Sequence, residues 1–315
     1  MPVTLADARL LTRDNLTQFL IDEFRKDNLL ERMIFDDNAT MNGGSTLNYV
    51  YSRVTRRRSA DFREINTEYT AADAATTQFV ATLKPFGGTF AVDRVIANYV
   101  KGVTDQVTFQ MQQLVQATTA KFSDAFMNGD SAVDAKSFDG LDKAIAGSTT
   151  DITPASVIDL SSSALIDANW KVFLDQLRRL MPLLDTSPTM LLVNAEMHSI
   201  FQSIADRAAS FTITRNEIGS EIMQWNGIPI IALGDKPASS DPIIATDSGK
   251  TAVYAVRIGL DGAHAISPLG GSVINSWLPN FADVNAVQTG GVEMVAAMAL
   301  KATRAAGVIR DIKIA

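Results

Sequence analysis

The chain has 315 residues, of which 46% are hydrophobic and 20% are charged, the composition of an ordinary globular protein with one or two domains. A formal net charge of −7 argues against a sequence-reading nucleic-acid binder, whose affinity comes from clustered lysine and arginine. Because the chain has no cysteine, disulfides, thiol nucleophiles and cysteine-ligated metals are excluded. No apolar run approaches the ~20 residues of a membrane span, and no secretory signal is present, so we expect a cytosol-like compartment at first.

Residues 1–40 are predicted to form an amphipathic N-terminal arm. Thr4 and Asp7 resemble a helix capping box. Apolar residues follow at helical spacing, at Leu16, Phe19, Leu20, Phe24, Leu30, Met33 and Ile34. The arm either folds back on the body of its own chain or lies on a neighbouring subunit.

Two runs of alternating apolar and polar residues are predicted to pair as a β-hairpin. Their apolar positions are Leu47, Tyr49 and Tyr51 in the first run, and Phe79, Ala81 and Leu83 in the second. The polar stretch between them, residues 55–77, is far longer than the roughly 2–5 residues of most hairpin loops. Two strands alone are marginally stable, so we expect the hairpin to project from the body and to be stabilised by another chain.

The hairpin is rich in basic residues, which we take as candidates for an interface between subunits. They are Arg53, Arg56, Arg57, Arg58, Arg63 and, at the base of the hairpin, Lys84. Contact with another subunit, a solvated loop tip and direct nucleic-acid contact are the three interpretations of the arginines. The nearby acidic residues Asp61, Glu64 and Glu68 weaken the positive field and disfavour the third. Lys84 either forms ion pairs between subunits or is solvated.

Residues 93–128 are predicted to form one long amphipathic helix, around which the rest of the chain is organised. Apolar residues recur every three or four positions, at Ile96, Val100, Val103, Val107, Met111, Leu114, Phe122 and Ala125. Asp93 is placed to cap the first turn, and Asn128-Gly129 is a typical helix end. Such a helix is roughly 50 Å long, and Gly102 is its weak point.

The remainder of the chain is predicted to be of α/β type. A polar linker at residues 147–151 marks a domain boundary. Helices are expected at 169–180 and 195–208, and strands at 189–193, 228–233, 243–246, 252–256, 292–300 and 308–314.

No motif of known enzymes or metal sites is present. The two histidines, His198 and His264, lack a G-x-S-x-G elbow, and the chain has no H-E-x-x-H, P-loop or G-x-G-x-x-G motif. The acidic loop with Asp130, Asp134, Asp139 and Asp142 lacks the glycine and glutamate of an EF-hand and is more typical of a connector. Trp170, Trp225 and Trp277 are dispersed, which favours core or interface positions. We therefore predict no catalytic, cofactor or metal site, and no enzyme.

The order of these parts resembles the major capsid proteins of tailed bacteriophages, which have the Hong Kong 97-like fold. FAVDRVI at residues 90–96 is similar to the strand and cap that lead into the family's spine helix, and FMNGD at 126–130 and FDGL at 138–141 to the exit from it. LLVN at 191–194 and WNGIPI at 225–230 resemble segments of the family's axial domain. The alternating strand that ends near residue 302 is similar to the long strand of the peripheral domain.

The resemblance implies an α+β fold in which an N-terminal arm, an extended β-hairpin loop, a long spine helix, a peripheral domain and an α/β axial domain follow one another. The corresponding ranges are 1–40 for the arm, 41–92 for the extended loop, 93–150 for the peripheral domain with the spine helix, 151–270 for the axial domain and 271–315 for return strands to the peripheral domain.

The implied function is that of a major capsid protein of the virion, assembled in the host cytoplasm. It would form hexamers and pentamers of an icosahedral shell that encloses double-stranded DNA without sequence-specific binding. Because the arm begins close to Met1, scaffolding would come from a separate protein, and a portal is a further expected partner. No motif aligns Lys84 with Asn275, Asn280 or Asn285, so covalent cross-linking between subunits is not predicted.

Two alternatives remain at this point. An encapsulin, a cellular shell that stores an enzyme, shares the fold and would package protein rather than DNA. A soluble α/β enzyme built on residues 150–270 would instead form a small oligomer with a pocket of converging polar groups. The absence of catalytic motifs and the long hairpin count against the enzyme.

Overall fold

A computed structural model describes residues 29–36, 47–56, 58–71, 73–99, 106–208, 210–215, 221–268, 273–281 and 285–315 of the chain. The helices within these ranges are α1 (Arg94–Tyr99), α2 (Gln106–Asn128), α3 (Leu141–Ile145), α4 (Ser163–Leu180) and α5 (Ala195–Ala205), with short 3₁₀ turns at Leu29–Arg32, Met181–Leu183 and Thr303–Ala305. The strands within them are β1 (Phe35–Asp36), β2 (Asn48–Arg56), β3 (Ala75–Thr82), β4 (Lys84–Asp93), β5 (Asp151–Ile152), β6 (Ile158–Asp159), β7 (Met190–Val193), β8 (Phe211–Arg215), β9 (Glu221–Trp225), β10 (Ile228–Ala232), β11 (Lys250–Val256), β12 (Ala263–Ile266), β13 (Ile274–Trp277), β14 (Val287–Leu300) and β15 (Ala306–Lys313).

The first sheet is built around β14. Strand β4 pairs with β14 in antiparallel orientation along its whole length, from Lys84 opposite Ala296 to Asp93 opposite Val287. Strand β13 pairs with residues 291–294 on the opposite edge of β14, β12 pairs with the end of β14 at residues 297–300, and β1 runs parallel to β12. Helix α2 packs on this sheet.

Aromatic side chains join α2 to the first sheet. Phe122 and Phe126 of α2 are fully buried, and the Phe122 ring lies 5.8 Å from the Phe35 ring and 6.5 Å from the Phe86 ring, between centroids. Buried aromatic side chains remove the largest apolar areas from water and dominate the energetics of a core. The C-terminal half of α2 is therefore a rigid support for the sheet.

The second sheet has the strand order β5-β15-β11-β7-β10-β9-β8, with β6 also paired to β15. Its centre includes the parallel pair β7 and β10, whose connection passes through α5. Helices α4 and α5 cover one face, where Phe173, Leu177 and Phe201 are fully buried. Parallel strands covered by helices are the arrangement expected of an α/β unit.

Strands β2 and β3 form a separate two-stranded antiparallel hairpin. Its register runs from Asn48 opposite Thr82 to Arg56 opposite Ala75. All described side chains from Val54 to Ala71 are exposed, so the outer half of the hairpin stands away from the body. The predicted hairpin and its projection are confirmed.

The long predicted helix is confirmed over α1 and α2. The side chain of Asp93 accepts a 2.7 Å hydrogen bond from the backbone N–H of Val95, as a helix cap does. Gly129 follows α2 in a tight turn, where an added Cβ atom would lie 2.2 Å from the carbonyl oxygen of Phe138. Residues 100–105, with the predicted weak point Gly102, and most of the predicted arm, residues 1–28 and 37–40, lie outside the described residues.

Long-range pairing places three strands differently from their predicted ranges. Strand β4, assigned to the extended loop 41–92, pairs with β14 in the first sheet. Strand β12, assigned to 151–270, also pairs with β14, whereas β15, assigned to the return strands 271–315, pairs with β11 in the second sheet. Consecutive sequence ranges miss these partners because strand pairing joins segments that are distant in the chain.

Candidate assembly surface

The root of the hairpin, which is the part of β2 around Tyr49, contacts a buried polar cluster. The hydroxyl of Tyr49 donates a 2.7 Å hydrogen bond to Oδ2 of Asp36, and both residues are buried. The ammonium of Lys301 lies 3.6 Å from the same oxygen and 5.4 Å from the centre of the Tyr49 ring. Burial and the neighbouring carboxylate raise the pKa of Tyr49, so its proton stays in place at neutral pH.

His264 completes this cluster from β12. It is fully buried, its Nε2 lies 3.9 Å from Asp36 Oδ2, and its ring meets the Tyr49 ring edge-on at 6.0 Å. Burial and the Lys301 ammonium outweigh the Asp36 carboxylate and lower the pKa of His264. His264 is therefore a neutral core residue at pH 7.

Arg53, four residues after Tyr49 on β2, makes a second set of contacts between the hairpin and the body. Its Nε donates to the carbonyl oxygen of Lys301 at 3.1 Å, its Nη1 donates to Thr303 Oγ1 at 3.1 Å, and its Nη2 donates to the carbonyl oxygen of Leu300. The guanidinium also lies 4.2 Å from the centre of the Phe79 ring. Arg53 was predicted as an interface candidate, but its donors are used within the chain, because β2 passes beside the end of β14.

The other predicted interface residues lie in different surroundings. Arg56 and Arg58 are exposed, and Arg57 lies outside the described residues. The guanidinium carbon of Arg63 lies 5.2 Å from the centre of the Tyr69 ring within the hairpin tip. These three described positions remain interface predictions. Lys84 donates a 2.9 Å hydrogen bond to the carbonyl oxygen of Ala135, so one of its donors has a partner within the chain.

The tip of the hairpin, residues 58–71, exposes large apolar side chains within the stretch predicted to be polar. Phe62 is fully exposed, Ile65 is 90% exposed and Tyr69 is 65% exposed. Soluble proteins rarely leave such side chains grouped in water unless they meet a partner. The sequence signal was present, since these are the large apolar residues between 55 and 77.

The body has a cavity and exposed apolar side chains of its own. A cavity of about 620 Å³ lies between α2, β4 and the loop 235–240, and Phe90, Leu114 and Pro237 are among its lining residues. Trp277 and Leu278, at the end of β13, are 54% and 70% exposed. Trp225 is buried in the core of the second sheet and Trp170 lies beside Lys171, so the three tryptophans do not form one cage.

In the acidic loop, one lysine forms ion pairs with two of the aspartates. The ammonium of Lys143 lies 2.5 Å from Asp130 Oδ1 and 2.8 Å from Asp139 Oδ1. Its hydrogen bond lowers the pKa of Asp130. Among the described residues, no group of three or more histidine, cysteine, aspartate or glutamate side chains is arranged to hold a metal ion.

Nor do the described ranges contain a helix that combines the length and hydrophobicity needed to cross a membrane.

A polar network joins the second sheet to α3. Arg310 of β15 bonds to Asp151 and Asp142, each at 2.7 Å, and the hydroxyl of Tyr254 donates to Asp142 at 2.9 Å. Burial, followed by the charge of Asp142, raises the pKa of Tyr254. Because α3 carries Asp142 and β15 carries Arg310, this network fixes the second sheet against the helix that follows α2.

Comparison with known proteins shows similarity in structure but not in sequence. No protein-family model matches the chain, and no curated protein matches it. The SrpI encapsulin of Synechococcus elongatus PCC 7942, from its holo complex, is 13% identical with a TM-score of 0.67, over 99% of this chain and 97% of that one.

Phage-type shells match over similar lengths. The capsid of an empty GTA particle is 8% identical with a TM-score of 0.62, over 98% of both chains. The capsid of the Myoviridae phage XM1 is 10% identical with a TM-score of 0.57, over 98% of this chain and 99% of that one. The division of the chain into named domains stays a prediction. The predicted capsid-type fold is confirmed, because the chain has the Hong Kong 97-like fold of phage capsid and encapsulin shell proteins.

Proposed function

We propose that the chain is a structural shell protein, the major capsid protein of a tailed bacteriophage. In this proposal it assembles in the host cytoplasm through hexamers and pentamers into the icosahedral shell of the virion, which encloses double-stranded DNA. A separate scaffolding protein and a portal are its expected partners, and it needs no cofactor and catalyses no reaction.

One observation carries this proposal. The chain combines a shell-protein fold with a hairpin whose tip exposes Phe62, Ile65 and Tyr69. A single chain gains no stability from holding these side chains in water. A neighbouring copy that covers them removes their apolar surface from water, and this burial stabilises the contact by about 25 cal/mol per Å². Repeated around a closed symmetric shell, such modest contacts add up to a stable particle.

The mild negative charge of −7 fits a wall that does not adhere to packaged DNA. The division into an arm at 1–40, an extended loop, a peripheral domain and an axial domain remains part of the proposal.

An encapsulin-type compartment is the second candidate, favoured by the TM-score of 0.67 to the SrpI encapsulin. It differs from the first in what the shell contains. In both candidates a neighbouring copy covers the hairpin tip, so only the contents of native particles distinguish a capsid from an encapsulin.

The test is electron microscopy of the purified protein together with sedimentation velocity, with and without a co-expressed scaffolding protein from the same genome. Uniform hollow shells support the shell proposal. Double-stranded DNA inside native particles then supports the capsid, and packaged protein supports the encapsulin. A small homogeneous oligomer in both preparations would overturn both candidates.

A further inference from the structure

We propose that Arg53 is a positioning residue that sets the direction in which the hairpin leaves the body. Its guanidinium contacts three groups of the body at the end of β14, namely the carbonyl oxygens of Leu300 and Lys301 and the hydroxyl of Thr303. The same plane stacks on Phe79, which belongs to the opposite strand of the hairpin. The side chain of Arg53 on β2 therefore contacts β3 and the body at the same time.

Nearer the root both strands are attached to the body, and at the end of β3 the attachment is the buried Leu83, which leads directly into β4. The buried hydrogen bond from Tyr49 to Asp36 ties β2 to β1. A ribbon attached at one point pivots about it, whereas attachment at two points along the same strand fixes its direction. Beyond Arg53, the described hairpin residues from Val54 to Ala71 are exposed, so no further contact of comparable burial corrects an error made at the root.

Small errors at the root become large displacements at the tip. Strand β2 has nine residues, which span about 30 Å at ~3.3 Å per residue. A rotation of roughly 10° at the root then moves the far end by about 5 Å, more than the tolerance of a packed apolar contact. The exposed Phe62 and Ile65 would miss a pocket placed to receive them.

Arginine is suited to this task, and lysine is not. A planar guanidinium offers five N–H donors in a fixed fork and a flat face for stacking, so it satisfies several carbonyl oxygens and an aromatic ring together. An ammonium is a point charge that does not stack as a plane. The register of β2 and β3 is held independently by their backbone ladder, so removal of Arg53 changes the direction of the hairpin rather than its pairing.

Pulsed electron spin resonance measures that direction without reference to assembly. Because the chain has no cysteine, Thr76→Cys on β3 and Gln202→Cys on α5 accept two nitroxide labels, and both positions are exposed. Labelled chain is diluted into unlabelled chain, so that only distances within one chain are recorded. The label pair reports the angle between the hairpin and the second sheet.

The parent chain is expected to give one narrow distance distribution. Arg53→Ala should broaden it at least about two-fold, and Arg53→Lys should give an intermediate width. The matched control is Arg56→Ala, three residues along the same strand, which should match the parent because no contact with the body holds Arg56 in the described structure. Thr303→Val removes one acceptor and should broaden the distribution slightly, which supplies the test if Arg53→Ala does not fold.

An unchanged distribution in Arg53→Ala, or in Thr303→Val should the first variant not fold, would overturn the proposal. A second readout rests on the proposed shell function: Arg53→Ala should lower the yield of regular shells at least about ten-fold relative to the parent. The two failures are distinguishable. If the parent forms no shells, the proposed function fails while the distance measurement still decides the role of Arg53.

Discussion

The root and the tip of the hairpin use opposite chemistry. At the root, Tyr49, Asp36 and Arg53 form hydrogen bonds within the chain, at buried or half-buried positions. At the tip, Phe62 and Ile65 present apolar surface to water. Buried polar contacts are specific in direction, whereas apolar contacts are strong and non-directional. We therefore propose that the chain fixes the direction of the hairpin by itself and that another copy covers the tip.

The largest expected effect comes from removing the tip. Replacement of residues 55–75 by an Asn-Gly turn joins Val54 to Thr76, which face each other in the hairpin, and so keeps Arg53 and the root in register. We expect a folded, soluble subunit that forms no shells, as shown by circular dichroism and sedimentation velocity. Normal shells from this variant would show that the hairpin tip has no part in assembly.

A smaller change addresses the apolar tip directly. Phe62→Asp combined with Ile65→Asp should abolish assembly, because burial of an unpaired carboxylate costs several kcal/mol. The free energy of unfolding of the subunit should change by less than about 0.5 kcal/mol, since both positions are exposed in the single chain.

Val133→Asp serves as the matched control for that variant. Val133 is 86% exposed on the loop after α2, and its substitution should leave assembly intact. Light scattering during assembly compares the three proteins. Equal assembly of the tip double variant and the control would contradict the role of the tip.

A substitution at the root of the hairpin should lower the free energy of unfolding of the subunit. Tyr49→Phe removes the hydroxyl that donates to the buried Asp36 carboxylate, and it should lower the free energy of unfolding by about 1–3 kcal/mol. Tyr69→Phe, at the exposed tip, should change it by less than about 0.5 kcal/mol. Urea denaturation of the two variants measures both values, and equal values would remove the distinction between root and tip.

The smallest effect concerns pH and His264. Its pKa is lowered in the folded chain, so the unfolded chain binds the proton more readily, and stability is complete above the ordinary pKa of about 6.5 and declines as pH falls below it. His264 is faced by Asp36, Tyr49 and Lys301. Thermal unfolding between pH 7.5 and 5, a range of about 2.5 units around that value, should show a decline that His264→Leu reduces.

His198 supplies the background for that measurement. Burial lowers its pKa as well, so His198→Gln should remove a separate part of the decline. A pH dependence identical in the parent and in His264→Leu would show that His264 is not the group that titrates.

The helices and the hairpin were predictable because their signals are local. A period of three to four residues predicted the helix that ends at Asn128, and alternation predicted the pairing of the runs around Tyr51 and Phe79. Residues 243–246 were predicted as a strand and are irregular, since a short buried apolar run does not by itself specify a strand.

The contacts of the candidate site were not predictable in the same way. Arg53 meets the end of β14 across about 250 positions of sequence, and spacing carries no sign of such a contact. The pairing of β4 with β14 is missed for the same reason. The apolar tip residues were visible in the sequence, but their exposure depends on how far the hairpin stands from the body.

The most direct test of this account is a cryo-electron microscopy reconstruction of the assembled particle at a resolution that shows side chains. We expect Phe62 and Ile65 of each chain to be buried against a neighbouring copy, while Arg53 keeps its contacts with residues 300–303 of its own chain. A shell in which both tip side chains remain in solvent would contradict it.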